Sequence, residues 1–281
     1  MYPPTFTRGL SALPERVERA FSAKVERLEL ELPVLPEASA TILSETSKAD
    51  WSAARVVEAL KRDASLAAHL LRIANSPAFC GASPVASIQQ AVTRLGASHL
   101  RQLAVVIACE TRAFEARGFE AEVRAVFRHS LAVGLCAREI ARQRRANVEA
   151  AFLAGLLHDL GWPVVVQGLA QVAAGEALAR DAVLERAEAL HAGLGGAVAR
   201  AWKLPEAIAM AIVNHHQAEP PDDLTATVAF ADVLALHGGG AQVTQEALSA
   251  LPATRALNLY PDVVEGLAKQ SPALWAEASQ W

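Results

Sequence analysis

Apolar residues recur at helical spacing along almost the whole chain, and nowhere do β-branched residues alternate with polar ones over the length of a strand. That regularity excludes sandwiches and barrels and predicts an all-α protein. In ASLAAHLLRIANS, Leu66, Leu70 and Ile73 fall at i, i+4 and i+7, one buried stripe. SIQQAVTRLG opens with the capping pair Ser87 and Gln90, carries Ile88, Val92 and Leu95 on one side, and stops at Gly96. A further helix follows with Leu100, Leu103 and Ile107 inside. Breaks are expected at Pro33/Pro36, from Gly81 to Pro84, around Gly118, at Pro163, Pro205 and Pro220/Pro221, from Gly238 to Gly240, and at Pro252.

With 281 residues, 52% of them hydrophobic and 20% charged, the chain has apolar material for the core of one or two domains and is not a disordered sequence. A net charge of −4 and the lack of a long basic run argue against nucleic acid as a partner. Cys80, Cys109 and Cys136 are odd in number and lack CxxC spacing, which suits a reducing cytoplasm. The start carries no basic cap followed by an apolar core, so no secretory signal is read there. Residues 151 to 175 are long enough to cross a bilayer, yet they contain His158, Asp159, Pro163 and two glutamines. A membrane span is therefore rejected.

The polar residues on inward stripes carry the chemistry. In EVRAVFRHSLAVGLCAREIARQ, Val126, His129, Val133, Cys136 and Ile140 step by three and four along one face, and the opposite face is apolar too, so His129 is expected inside. Taken alone, a core histidine is more often bonded to a backbone carbonyl than to a metal. His158 and Asp159 lie in the apolar stretch FLAGLLHDLGWPV, and His158 shares a stripe with Ala151, Ala154 and Gly155, small residues that admit a neighbouring helix. A buried aspartate has to be paired, hydrogen-bonded or on a metal. Adjacent helical residues point about 100° apart, so both reach one ion only between helices. After Leu204-Pro205, His215 and His216 flank the stripe of Ile208 and Ile212. Asp232 falls four residues after Val228 and four before Leu236, and His191 sits in the glycine-rich LHAGLGG. His69, His99 and His237 are set aside as surface or satisfied histidines. Imidazoles and carboxylates together suit iron, manganese, nickel or zinc, and the set is large enough for one or two ions.

A histidine, then His-Asp, then His-His, then Asp, in that order, resembles the HD superfamily of metal-dependent phosphohydrolases. The upstream half sharpens this: LPVLPEASATIL, VVEALKRDASLAAHLLRIANSPAFCG and VASIQQAVTRLGASHLRQLAV resemble the HDOD family, over residues 30 to 235 or so. The resemblance implies an N-terminal helical bundle packed on an HD-like bundle, in a bacterial cytoplasmic module of signal transduction. On that basis residues 1–120 are expected to form the N-terminal subdomain, 121–240 the HD-like subdomain and 241–281 a helical tail, with the charge-rich stretch 112–125 between the halves. It also implies metal ligands at His129, His158, Asp159, His215, His216 and Asp232, and at His191, which matches a further metal histidine of the related HD-GYP phosphodiesterases.

The departures are equally informative. Those phosphodiesterases carry a lysine three residues after the His-Asp pair, where HDLGW places Trp162, and a Gly-Tyr-Pro element that HHQAEPPDD lacks. A lysine opposes developing negative charge, whereas an indole stacks or packs. Two functions from different classes therefore stand. One is a regulatory module that keeps an HD-type pocket and acts on signalling proteins or a small nucleotide. The other is a metal-dependent phosphohydrolase or phosphodiesterase acting on a nucleotide or cyclic dinucleotide, in which the ions activate water. The missing elements favour the first, unless Arg128, Arg144 or Arg145 supplies the charge. Leu274, Trp275 and Trp281 give the tail an apolar edge suited to docking on the body or on another chain. A homodimer is compatible with such a bundle, although no heptad seam specifies one.

Overall fold

The computed structural model describes residues 12–279 except 28, 31, 34, 76–83 and 112–117, with the backbone alone at 65 and 107–111. Cys80, the Cys109 side chain, Trp281 and the expected break over Gly81 to Ser83 lie outside this description. The described residues form fourteen helices and no strand, as the periodicity requires.

Two compact units emerge, one of residues 34–113 and one of residues 1–33 with 114–281. The first holds α2 (Glu37–Thr46), α3 (Ala53–Lys61), α4 (Ala64–Ala74) and α5 (Ile88–Thr111). Its core is built from Ile42, Val56, Leu60, Leu66, Leu70, Val92 and Leu100, all at most 1% exposed. The motif residues have local jobs. Asp63 caps α4 by accepting the Leu66 N–H at 3.0 Å. Asn75 ends α4, and its amide both donates to the Val85 carbonyl and accepts the Val85 N–H, tying the approach to α5 onto α4. Ser87 accepts the Gln90 N–H at 3.2 Å, and the Gln90 carboxamide accepts the Ala86 N–H. Gly96, at φ 70° and ψ 173°, breaks α5 into two helical stretches, a backbone conformation that favours glycine.

The second unit is centred on α6 (Glu120–Gln143), against which α7 (Val148–Leu157), α11 (Asp223–Gly238) and α14 (Pro261–Ala278) pack. Val126, His129, Val133, Cys136 and Ile140 are all buried, the stripe expected from spacing. Cys136 is a free thiol pushed up to about 12 by burial, so it packs rather than reacts. α8 (Gly161–Ala173) pairs with α9 (Arg180–Ala201), against which α10 (Glu206–Asn214) also packs. Trp162 is 2% exposed on α8, so the indole at the lysine position packs into the core. The apolar run Val148–Ala173 passes a membrane span by length, but 83% of its most apolar window is buried within the fold. It is two core helices separated by a turn.

The units divide the chain differently from the sequence boundaries. α1 (Glu15–Glu26) belongs with the later helices because Phe21 lies against α8 at Gly168, while Glu18 pairs with Arg186 at 2.5 Å. The tail, α12 (Gln245–Ala250), α13 (Pro252–Ala256) and α14, belongs to the same unit, with α14 packed on α6 and α11.

Candidate metal centre

Each ligand-type side chain is delivered by a separate piece of backbone. His129 projects from the middle of α6, and its Nε2–H donates to Asp232 Oδ1 on α11 at 2.8 Å. His158 and Asp159 do not share a helix, which corrects the expectation that they lie on one: α7 ends at Leu157, and both occupy the turn that precedes α8. His215 and His216 likewise follow the end of α10 at Asn214. Breaking the helix at each doublet lets neighbouring residues face one cavity.

The helix ends also fix the rings. A helix leaves its last carbonyls without partners, and His158 Nδ1–H donates to Gly155 O at 2.7 Å, His215 Nδ1–H to Ile212 O at 2.6 Å. On α9, His191 Nδ1–H reaches Glu188 O at 2.7 Å. In each case the bond turns Nε2 inward, the second-shell arrangement that orients metal-binding imidazoles.

The inward atoms converge. His191 Nε2 stands 3.3 Å from His215 Nε2, 3.0 Å from His216 Nε2 and 3.4 Å from Asp159 Oδ1. The other oxygen, Asp159 Oδ2, is 3.3 Å from His158 Nε2, which lies 4.0 Å from Asp232 Oδ1. Two groups result, His129 with His158 and Asp159, and His191 with His215 and His216, each with all its donor atoms within 4.8 Å of one another. An ion held at about 2.0–2.2 Å keeps adjacent donors roughly 2.8–3.1 Å apart in octahedral geometry and roughly 3.3–3.6 Å apart in tetrahedral geometry. The 3.0–3.4 Å spacings about His191 and between Asp159 and His158 fit these ranges, while the 4.0 Å between His158 and Asp232 is wider. His191 and His215 each donate Nδ1–H to a backbone carbonyl, which leaves their two Nε2 atoms 3.3 Å apart in the middle of the centre.

All seven residues named from the sequence therefore meet in one place. Five are buried, while His216 is exposed and the Asp232 side chain is 20% exposed, so the centre opens to solvent on their side. A cavity of about 70 Å³ lies among His129, His158, Asp159, Glu188, His216, Asp232 and Leu236. Glu188 was not picked out in the sequence, although it stands one helical turn before His191, and Leu236 entered there only as a stripe neighbour of Asp232. Among the described lining residues there is no lysine or arginine. Arg144 pairs with Asp223 at 3.0 Å and Arg128 lies over the Trp275 ring, so neither replaces the missing lysine in the cavity wall. A larger groove of about 640 Å³ in the first unit, bounded by Glu37, Arg55, Glu58 and Arg62, has acids and bases that offset one another and no comparable histidines.

The charges are strongly coupled. Burial opposes ionisation of Asp159, but His158 and then His191 and His129 hold its carboxyl well below the usual range. Burial also opposes the His158 cation, yet the attraction and hydrogen bond of Asp159, helped by Asp232, lift it to about 9. Asp232 is held down to about 2: burial opposes this, and the His129 hydrogen bond outweighs it. Burial pushes His215 down to about 3, with repulsion from His158 and His216 adding to it. An unfolded histidine titrates near 6.5. The raised His158 therefore stabilises the fold fully below about pH 6.5 and loses this as pH climbs through 9. The depressed His215 stabilises above about pH 6.5 and loses this as pH falls towards 3, where Asp232 also begins to protonate. Thermal melts with a chelator present should accordingly give a maximum Tm near pH 6.5. A flat profile from pH 5 to 9 would show that these groups are not coupled as the distances indicate.

A bundle of helices that brings His, His-Asp, His, His-His and Asp together in that chain order defines a protein of the HD type. The HDOD domain pattern matches residues 32–218, more than half of the chain, and the chain belongs to the HDOD family. The fold is similar to that of a proposed metal-dependent phosphohydrolase from Shewanella amazonensis SB2B, with a TM-score of 0.70, 20% identity, and coverage of 93% of this chain and 100% of that one. A second structure from the same organism, described as a proposed phosphohydrolase, gives a TM-score of 0.67 at 26% identity over 93% of this chain and 97% of that one. A proposed signal transduction protein from Marinobacter aquaeolei VT8 gives 0.61 at 20% identity, over 96% of this chain and 62% of that one. An uncharacterised protein of Treponema pallidum (strain Nichols) is 25% identical over 219 residues, 72% of this chain, and the match spans 42% of that relative's length.

Proposed function

We propose that this chain is a regulatory HDOD module whose HD half binds one or two first-row divalent ions, iron, manganese, nickel or zinc, and acts on signalling proteins or a small nucleotide. The observation that carries the metal assignment is the inward turn of the His158, His191 and His215 Nε2 atoms by bonds to their own helix carbonyls. His129, His158 and Asp232 would serve one ion and His191, His215 and His216 the other, with Asp159 offering one oxygen to each group. Bound ions would supply positive charge to a cavity walled by Asp159, Asp232 and Glu188. The regulatory half of the proposal is supported by the small cavity and by the lack of lysine or arginine in its described walls, which leaves only bound ions to oppose charge developing on a phosphate.

The second function, a phosphohydrolase, is favoured by the solvent-open side at His216 and Asp232. One set of measurements separates the two. Protein stripped with a chelator and titrated with Mn²⁺ or Zn²⁺ by calorimetry should bind up to two ions and release protons, because His158 at about 9 gives up its proton to a metal. The loaded protein should leave cyclic di-GMP intact and hydrolyse generic phosphodiesters weakly at most. Robust manganese-dependent turnover that disappears in Asp159→Ala would establish the phosphohydrolase instead.

A further inference from the structure

We infer that Glu188 is an additional metal ligand, the carboxylate at the open side of the centre that completes the coordination of the ion held by His191, His215 and His216. This rests on the proposed two-ion centre and goes beyond its ligand set.

Glu188 and His191 are one turn apart on α9, so they share a face. The Glu188 carbonyl is the acceptor that orients His191, and Glu188 lines the cavity together with His216, whose Nε2 lies 3.0 Å from His191 Nε2. No lysine or arginine pairs with Glu188 among the described residues, whereas Glu18, Glu122, Glu176 and Glu206 of the same unit each pair with an arginine.

Charge and coordination number give the reason for a further ligand. The second group consists of three imidazoles, which carry no charge when they bind a metal, and its only carboxylate oxygen is shared with the first group through Asp159. One half-shared carboxylate leaves a divalent ion with most of its charge uncompensated in a site where His191 and His215 are buried. Glu188 approaches from the solvent side, where the ion would otherwise keep water. It brings the described carboxylates around two divalent ions to three, against a total ionic charge of four. A flexible exposed glutamate can swing onto an ion without moving α9.

The test uses the full chain stripped of metal. Calorimetric titration with Zn²⁺ of the parent, Glu188→Gln and Glu185→Gln should show two sites in the parent and in Glu185→Gln, which alters an exposed acid of the same helix that does not line the cavity. In Glu188→Gln the first site should keep its affinity while the second weakens at least about 10-fold. The visible absorption of the Co²⁺-loaded protein should change shape in Glu188→Gln and return towards the parent in Glu188→Asp. Unchanged affinity and spectrum in Glu188→Gln, with two sites in the parent, overturn the Glu188 assignment alone. A parent that binds a single ion overturns the two-ion centre and this assignment together.

Discussion

Replacing Asp159 by alanine is expected to weaken binding of both ions severely and to destabilise the metal-free protein in a pH-dependent way. Its two oxygens face different imidazoles, Oδ2 to His158 at 3.3 Å and Oδ1 to His191 at 3.4 Å, so one substitution removes a ligand from each group. Loss of the shared carboxylate should lower affinity by two orders of magnitude or more, beyond the roughly 10–100-fold typical of removing an outer-shell partner. The metal-free protein responds through His158. With Asp159 gone, the histidine keeps Asp232 at 4.0 Å but loses its main source of positive-charge stabilisation, so burial pushes it back towards the neutral form. Near pH 6.5 this should cost on the order of 1–3 kcal/mol. The cost should shrink as pH passes 9, because the parent's own His158 is then neutral and its Asp159 is left as a buried charge without a cation. Chemical denaturation of both proteins at pH 6.5 and pH 9.5 measures the difference. A loss of equal size at both values would assign Asp159 a packing role instead of an electrostatic one.

Much of this centre can be read from residue order alone, and the parts that cannot share a physical cause. The helices are legible because each buries a stripe, and stripes leave a period of three to four in the sequence. His129 on α6 and Asp232 on α11 are legible for the same reason, since each occupies a position where the stripe demands an apolar residue. The His-Asp and His-His doublets are legible as chemistry but not as geometry. The apolar pattern runs on through Leu160 and Trp162, and nothing local announces that α7 stops at Leu157. Glu188 is hidden because an exposed glutamate on a helix is ordinarily a solvated one, and only the placement of α10 and α11 makes it part of a cavity. The assignment of α1 to the later helices is hidden too. Phe21 and Gly168 are far apart in the chain, and neither one signals the other.

Gly161→Ala should be among the most damaging single-methyl changes in this protein, and it should act on the metal centre through the backbone. Gly161 opens α8 immediately after the His-Asp turn, where α8 and α9 approach so closely that a Cβ would stand 2.0 Å from the His191 carbonyl oxygen and 2.5 Å from the Gly195 nitrogen. Both obstacles are main-chain atoms, so no rotamer change relieves them, and α8 and α9 must move apart. At Gly195 itself the first obstacle is the Ile212 methyl at 2.9 Å, which a side-chain adjustment can ease. Separating α8 from α9 draws His191 away from Asp159, so the second ion should lose affinity as the fold loses stability. The expected cost is about 3 kcal/mol, the upper end for overpacking, because the clash is with backbone. Gly193→Ala provides the contrast on the same helix. A Cβ there meets nothing within 4 Å, and removing a glycine from a helix interior should stabilise by roughly 0.5–1 kcal/mol. Urea denaturation of the two variants should therefore move the midpoint in opposite directions, with Zn²⁺ binding impaired only in Gly161→Ala. If Gly161→Ala unfolds at the parent's midpoint and binds metal normally, the contact between α8 and α9 is looser than the structure shows, and His191 is not held in place by it.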